Sequence, residues 1–261
     1  MTALELVRRD FGGGDGTPLV LCHGLLGSSR NWQGLGKAWG RARRVVAVDM
    51  RDHGESPWSE EMDYAAMAGD LAALIEGELG GQADVLGHSM GGKAAMVLAL
   101  TAPERLRRLA VVDIAPVPYA HDFEGYIKAM QGLDLASMTR RSEADAALAP
   151  AVPDPAVRAF LLQNLDAGGG GRLAFRPNLE GLLAAMDAIT GWPDACEGRH
   201  FDGPALFVRG ALSDYVRDDA LPGIRALFPK ARIETVPDAG HWVHAQAPAV
   251  LGRLVEGFLE G

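Results

Sequence analysis

The chain has 261 residues, 48% hydrophobic and 23% charged, a composition that excludes a disordered or low-complexity protein. Its formal charge of −9 argues against a nucleic-acid partner, whose phosphates are held by clustered Lys and Arg. The two cysteines, Cys22 and Cys196, belong to no metal-ligand or redox motif, so neither a metal nor a cofactor is expected.

Met1 to Asp10 contain no signal-like apolar stretch, and no apolar run approaches the roughly 18 residues of a membrane span. The expectation is a cytoplasmic protein without membrane contact. Short apolar or β-branched runs alternate with helical patterns, which predicts an α/β domain whose mostly parallel sheet is flanked by helices. Strands are expected at Leu4 to Arg8, Pro18 to Cys22, Arg44 to Asp49, Ala83 to Gly87, Leu109 to Ile114, Ala205 to Arg209 and Arg232 to Val236. Helices are expected at Tyr64 to Leu79, Gly91 to Ala102 and Pro248 to Leu259, each with apolar residues in helical spacing. The basic runs Arg41 to Arg44 and Arg105 to Arg108 read as solvated helix ends or loops.

Between Pro116 and Gly203 the alternation stops, and helix-like pieces are separated by Pro150, Pro153, Pro155, Gly168 to Gly171 and Pro177. This predicts a core in two parts, 1–116 and 204–261, around a helical insertion at 117–203 placed as a lid. Met130, Met138, Leu182, Leu183 and Met186 in the insertion are read as packing residues.

Gly87-His88-Ser89-Met90-Gly91 fits G-x-S-x-G, follows the apolar run Ala83 to Leu86 and opens a helical pattern. A serine at so tight a turn needs small neighbours two residues away on each side, and Gly87 and Gly91 supply them. Ser89 is therefore the expected nucleophile. The Met90 amide, at the start of the helix, and the Leu25 amide, in His23-Gly24-Leu25-Leu26-Gly27, are expected to hold an oxyanion. His23 reads as a structural histidine that fixes this loop.

A serine needs a histidine base and a carboxylate to orient it, in the chain order Ser, acid, His for such a frame. His241, in Asp238-Ala239-Gly240-His241-Trp242, is the expected base, and His244, three residues on, competes weakly. His53, His121 and His200 lack this context. Two carboxylates close strands: Asp113 after Leu109 to Val112, and Asp214 after Ala205 to Arg209. An aspartate ending an apolar strand needs a partner to be buried, which favours Asp113 and leaves Asp214 as the alternative acid.

The chain resembles the α/β-hydrolase superfamily, and within it the small esterases with G-H-S-M-G-G-K followed by V-D-I-A-P. Matching positions are His23-Gly24 to Gly27, Asp49 to Ser56, Gly87 to Lys93, Asp113 to Pro116, and Gly240 to His244, so the resemblance spans nearly the whole chain. In most of the superfamily the acid stands where this chain has Ser213. The resembling branch carries it after the preceding strand, which implies Asp113, with Ser213 as a helper. The resemblance also implies that Asp49 to Ser56 form a structural loop and that Lys93 is a structural ion-pair partner.

The expected activity is two-step cleavage of small-molecule esters or thioesters with short to medium acyl chains. The alternatives are other chemistry on the same frame, such as carbon–carbon bond hydrolysis or cofactor-free perhydrolysis, and a ligand-binding module without turnover.

Overall fold

The computed structural model describes residues 2–120, 123–167 and 172–261. His121 and the run Gly168 to Gly171 lie outside the described residues.

Seven strands form the main sheet: β1 (Arg8–Asp10), β2 (Leu19–Cys22), β3 (Val45–Val48), β4 (Ala83–His88), β5 (Leu106–Val112), β8 (Ala205–Gly210) and β9 (Ala231–Val236). Their spatial order is β1-β3-β2-β4-β5-β8-β9, with β1 antiparallel to β3 and the other pairs parallel. Side chains alternate between faces with period two, so Val20, Cys22, Val46, Val48 and Val85 enter one apolar cluster while Leu19, Leu21, Val45, Ala47 and Leu86 enter another. Burial on both faces is why the central strands read as continuous apolar runs instead of alternating ones.

Helices α1 (Gln33–Trp39) and α11 (Pro248–Glu260) supply Trp39, Leu251, Val255 and Leu259 to the second cluster. Helices α2 (Tyr64–Glu78) and α3 (Met90–Thr101) pack on the opposite face. Asp63 caps α2 by accepting the Ala66 N–H at 2.8 Å, and Pro248 starts α11 where a missing N–H does no harm. Two short helices, α9 (Leu221–Leu227) and α10 (Val243–Gln246), complete the second half.

The segment between β5 and β8 carries helices α4 (Glu124–Gln131), α5 (Arg141–Leu148), α6 (Pro155–Leu162), α7 (Leu179–Ala184) and α8 (Met186–Thr190). It also carries an antiparallel pair, β6 (Leu165–Ala167) and β7 (Leu173–Phe175), which a purely helical reading of the insertion missed. Met130, Leu182 and Met186 are buried, and Met138 and Leu183 pack at the edge of the apolar clusters, as expected of packing residues.

Two expectations shift. The first strand starts at Arg8, because Leu4 and Val7 give their amides to Asp70 Oδ1 and Ser56 Oγ instead of to a ladder. The run Arg105 to Arg108 is no loop: β5 begins at Leu106, and Arg107 forks onto buried Asp84 with bonds of 2.9 and 2.6 Å. Arg43 joins the same carboxylate at 3.2 Å, so part of each basic run is charge compensation for one buried aspartate.

Candidate active site

Ser89 sits between β4 and α3 with φ 52° and ψ −121°, a conformation that L residues rarely adopt. The turn closes because its neighbours lack side chains. A Cβ on Gly91 would stand 2.5 Å from the His23 carbonyl oxygen, and one on Gly87 would collide with the Gly91 carbonyl. The Ser89 amide donates to Val112 O at 3.1 Å, fixing the turn against the end of β5.

Asp113 follows β5, also at positive φ (52°), and is 1% exposed. Its Oδ1 accepts the Gly210 N–H at 2.8 Å from the end of β8. Its Oδ2 accepts a short hydrogen bond from Ser213 Oγ and another, at 2.8 Å, from His241 Nδ1. On the far side of the ring His241 Nε2 lies 3.0 Å from Ser89 Oγ, so a carboxylate, an imidazole and a hydroxyl form one continuous chain. These residues are up to 152 positions apart in sequence and meet because each follows the carboxyl end of a parallel strand. Asp214 is exposed and makes no hydrogen bond to this imidazole, whereas Ser213 stands where a helper would.

Three contacts that local motifs did not reveal hold the imidazole. Tyr215 stacks on it at 3.7 Å between ring centroids and 16° between planes. His88 Nε2 donates to the His241 carbonyl at 2.8 Å. The Tyr119 hydroxyl accepts the Ala115 N–H at 2.8 Å and donates to Tyr215 O at 2.6 Å, tying the loop after β5 to the loop after β8.

The Leu25 loop lies across from Ser89, and Leu26 takes a positive φ of 59° there. His23 Nδ1 donates to Gly24 O at 2.8 Å while its Nε2 accepts the Met50 N–H at 2.9 Å, which defines a neutral tautomer and a purely structural role. The Asp49 carboxylate accepts the amides of Ser29 at 2.6 Å and Glu55 at 2.9 Å, so the loop from Asp49 to Ser56 buttresses the site from behind. From the insertion, buried Asn164 donates to Leu26 O at 2.7 Å. The Leu25 N–H has no acceptor among the described residues, and the Met90 N–H opens α3, where the first amides lack helical partners.

Two pockets meet at Ser89 and Leu25. One is lined by His88, His241, His244 and Trp32 together with Phe123 and Phe160 of the insertion. The other runs along α3 past Met90 and Lys93 to Tyr64, Tyr119 and Thr190. Burial pushes His244 down to about 4 and holds His88 well below the ordinary imidazole value, with the neighbouring imidazoles adding to the effect. His53 is buried elsewhere and pushed to about 3, chiefly by burial, and exposed His200 faces Asp202 far from the chain.

Lys93 departs from its expected role, for no carboxylate pairs with it among the described residues. Its ammonium donates to the carbonyls of Thr190 at 2.9 Å and Gly191 at 2.5 Å, at the end of α8, and stands 4.8 Å from the Tyr119 ring centroid. The carbonyl end of a helix offers partial negative charge, which offsets part of the cost of burying the ammonium. Among the described residues no group of His, Cys, Asp and Glu could hold a metal ion.

Residues 17–248 match the α/β-hydrolase fold family. The chain belongs to that family. It is 43% identical over 258 residues to a sn-1-specific diacylglycerol lipase of Mus musculus, covering 94% of this chain and 82% of the relative. It is 34% identical to an esterase of Escherichia coli, covering 93% of each. A solved esterase from a marine microorganism superposes with a TM-score of 0.94 at 33% identity, over 98% of this chain and all of the other.

Proposed function

We propose that the protein is a serine hydrolase that cleaves carboxylic esters or thioesters of short to medium acyl chains through an acyl-enzyme. One observation carries the reading: Ser89, His241 and Asp113 are hydrogen-bonded in series beside a strained strand-to-helix turn. The mouse relative is a diacylglycerol lipase and the bacterial one an esterase, which supports ester chemistry.

Ser89 Oγ attacks the acyl carbon as His241 Nε2 takes the hydroxyl proton, and Asp113 stabilises the imidazolium and holds its Nδ1–H. The oxygen that gains charge is met by the amides of Leu25 and Met90. His241 then gives the proton to the leaving alcohol or thiol. Water repeats the sequence on the acyl-enzyme, releasing the acid and restoring Ser89. Residues 117–203 act as the lid, since Phe123 and Phe160 wall one pocket and Tyr119 and Thr190 the other. Two buried, unpaired cysteines suit a reducing compartment, and we place the protein in the cytoplasm.

The test is Ser89→Ala assayed with simple alkyl esters, alongside labelling of the wild type by a fluorophosphonate. Turnover should fall by about a million-fold, and the label should be found on Ser89. Full activity in Ser89→Ala, or folded protein that takes no label, would end the proposal.

A further inference from the structure

The proton inventory of the reaction tells the two pockets apart. A leaving group must receive its proton from His241, and His241 lines the first pocket but not the second. Met90, whose amide faces the developing oxyanion, lines the second. The leaving group therefore departs through the first pocket, and the acyl chain lies in the second, running from Ser89 along α3.

Lys93 stands on that path, one helical turn beyond Ser89, and its amide donates to Ser89 O at 3.0 Å. Residues so spaced share a helix face, with Cβ atoms about 5–6 Å apart, and helical side chains lean toward the helix start. Lys93 lines the second pocket together with Ser89. The residue is 1% exposed, yet its hydrogen bonds go to two neutral carbonyls and its other neighbours are the rings of Tyr64 and Tyr119. A buried cation without a counter-ion is among the more expensive arrangements in a protein interior, and an anion brought to it relieves that expense.

We propose that the second pocket is an acyl subsite for short acyl groups that end in a carboxylate, and that the Lys93 ammonium receives this carboxylate. The substrate class is the monoester or monothioester of a short dicarboxylic acid. The proposal rests on the serine-hydrolase reading above. In the reaction the acyl–oxygen or acyl–sulfur bond breaks, the leaving group takes the proton from His241, and water supplies the hydroxyl of the new acid. The products are the free dicarboxylic acid and an alcohol or thiol, and no oxidant or further reactant is needed.

The test compares monoethyl succinate with ethyl 4-methylpentanoate, which differ only in bearing a carboxylate or an isopropyl group at the chain end. Wild type should favour the monoester in kcat/KM, mainly through KM. In Lys93→Met the ratio of the two should fall by about 10- to 100-fold, as expected for a lost charged hydrogen bond. A lysine that only props the insertion would slow both esters alike, and an unchanged ratio overturns the proposal, as does a wild type without preference.

The wild type alone supplies a second readout should the variant fail to fold. Burial pushes Lys93 down to about 7, and the phenols of Tyr64, Tyr119 and Tyr215, which line the same pocket, are pushed up and stay neutral. KM for monoethyl succinate should rise from pH 6 to 9 relative to the neutral ester, and a constant ratio overturns the assignment. Turnover of the neutral ester without a preference defeats this inference alone. No turnover of either ester defeats the hydrolase reading with it.

Discussion

The two sides of Ser89 hold buried nitrogen bases under opposite constraints. On one side His88 and His244 line the pocket, and near them His23 fixes the Leu25 loop. On the other side Lys93 is the base, with carbonyls and aromatic rings for company. Burial disfavours the charged form of all of them. An imidazole escapes the penalty by giving up a proton that it holds weakly near neutral pH. A lysine must surrender far more, because its unburied value is 10.5 and burial has brought it only to about 7. Burial thus favours neutral imidazoles at His23, His88 and His244, while it leaves Lys93 near the point where its two charge states balance. Apolar residues of similar volume would fill that second position at lower cost, which is why Lys93 calls for a ligand and the histidines do not.

The sharpest way to break this picture is to alter the one carboxylate hydrogen-bonded to His241. Asp113 accepts three donors, from Gly210, Ser213 and His241. Asp113→Asn keeps the size but turns an amide NH₂ toward two of those donors, which drives His241 into the wrong tautomer. The expected loss in kcat is about ten-thousandfold with little change in fold, by analogy with other Ser-His-Asp sites. Asp214→Asn, at an exposed position, should stay within about twofold of wild type. Steady-state kinetics on ethyl esters decide it: a large loss at Asp214 and a small one at Asp113 would reverse the assignment.

Next in size is the acid stability governed by the buried imidazoles. His53, His244 and His88 are pushed to about 3, about 4 and well below normal, chiefly by burial. The unfolded chain takes up protons near pH 6.5 while the native state does not, so their contribution is complete above that value and is lost as pH falls below it. Each group adds a slope approaching 1.4 kcal/mol per pH unit, so the three together approach about 4 kcal/mol per unit below pH 6. Urea unfolding at pH 7, 6 and 5 measures this, above the range where most carboxylates titrate. His244→Phe should flatten the slope by about one group's share. Equal stability at pH 7 and 5 would mean that these imidazoles are charged in the folded protein.

Much of this site was legible in the sequence because each member of the chain from Asp113 to Ser89 ends a strand or follows one in a short motif. The glycines around Ser89 and the apolar run before Asp113 report local geometry, and parallel strands bring their carboxyl ends together without further instruction. Lys93 was misread for the opposite reason. Its partners, the carbonyls of Thr190 and Gly191, lie 97 and 98 residues away, and backbone carbonyls leave no mark in a sequence, so a cation there suggested an acid. Tyr215 against His241 and Asn164 against Leu26 escaped notice likewise, since they depend on how loops and the insertion settle on the sheet. The β6–β7 pair is three residues per strand, too short for a period-two pattern to show.

The smallest expected effect concerns the lysine side and falls in a different pH window. With Lys93 near 7 in the folded protein and near 10.5 when unfolded, the unfolded chain holds an extra proton between those values. Stability from this group should therefore rise with pH, by about 1.4 kcal/mol per unit, from just above pH 7 toward pH 10. The phenols of Tyr64, Tyr119 and Tyr215 are raised and act with the opposite sign above pH 10, and the buried Cys22 thiol, pushed up to about 12, does so above pH 9, so measurements at pH 7.5, 8.0 and 8.5 are the ones that report on the lysine. Subtracting the Lys93→Met stability from that of wild type should leave this slope, and a flat difference would show that the ammonium suffers no burial penalty. Succinate, the product of the monoester, adds a further arm. A carboxylate held against Lys93 restores the proton to the folded state, so saturating succinate should reduce the alkaline slope in wild type and leave Lys93→Met unaffected.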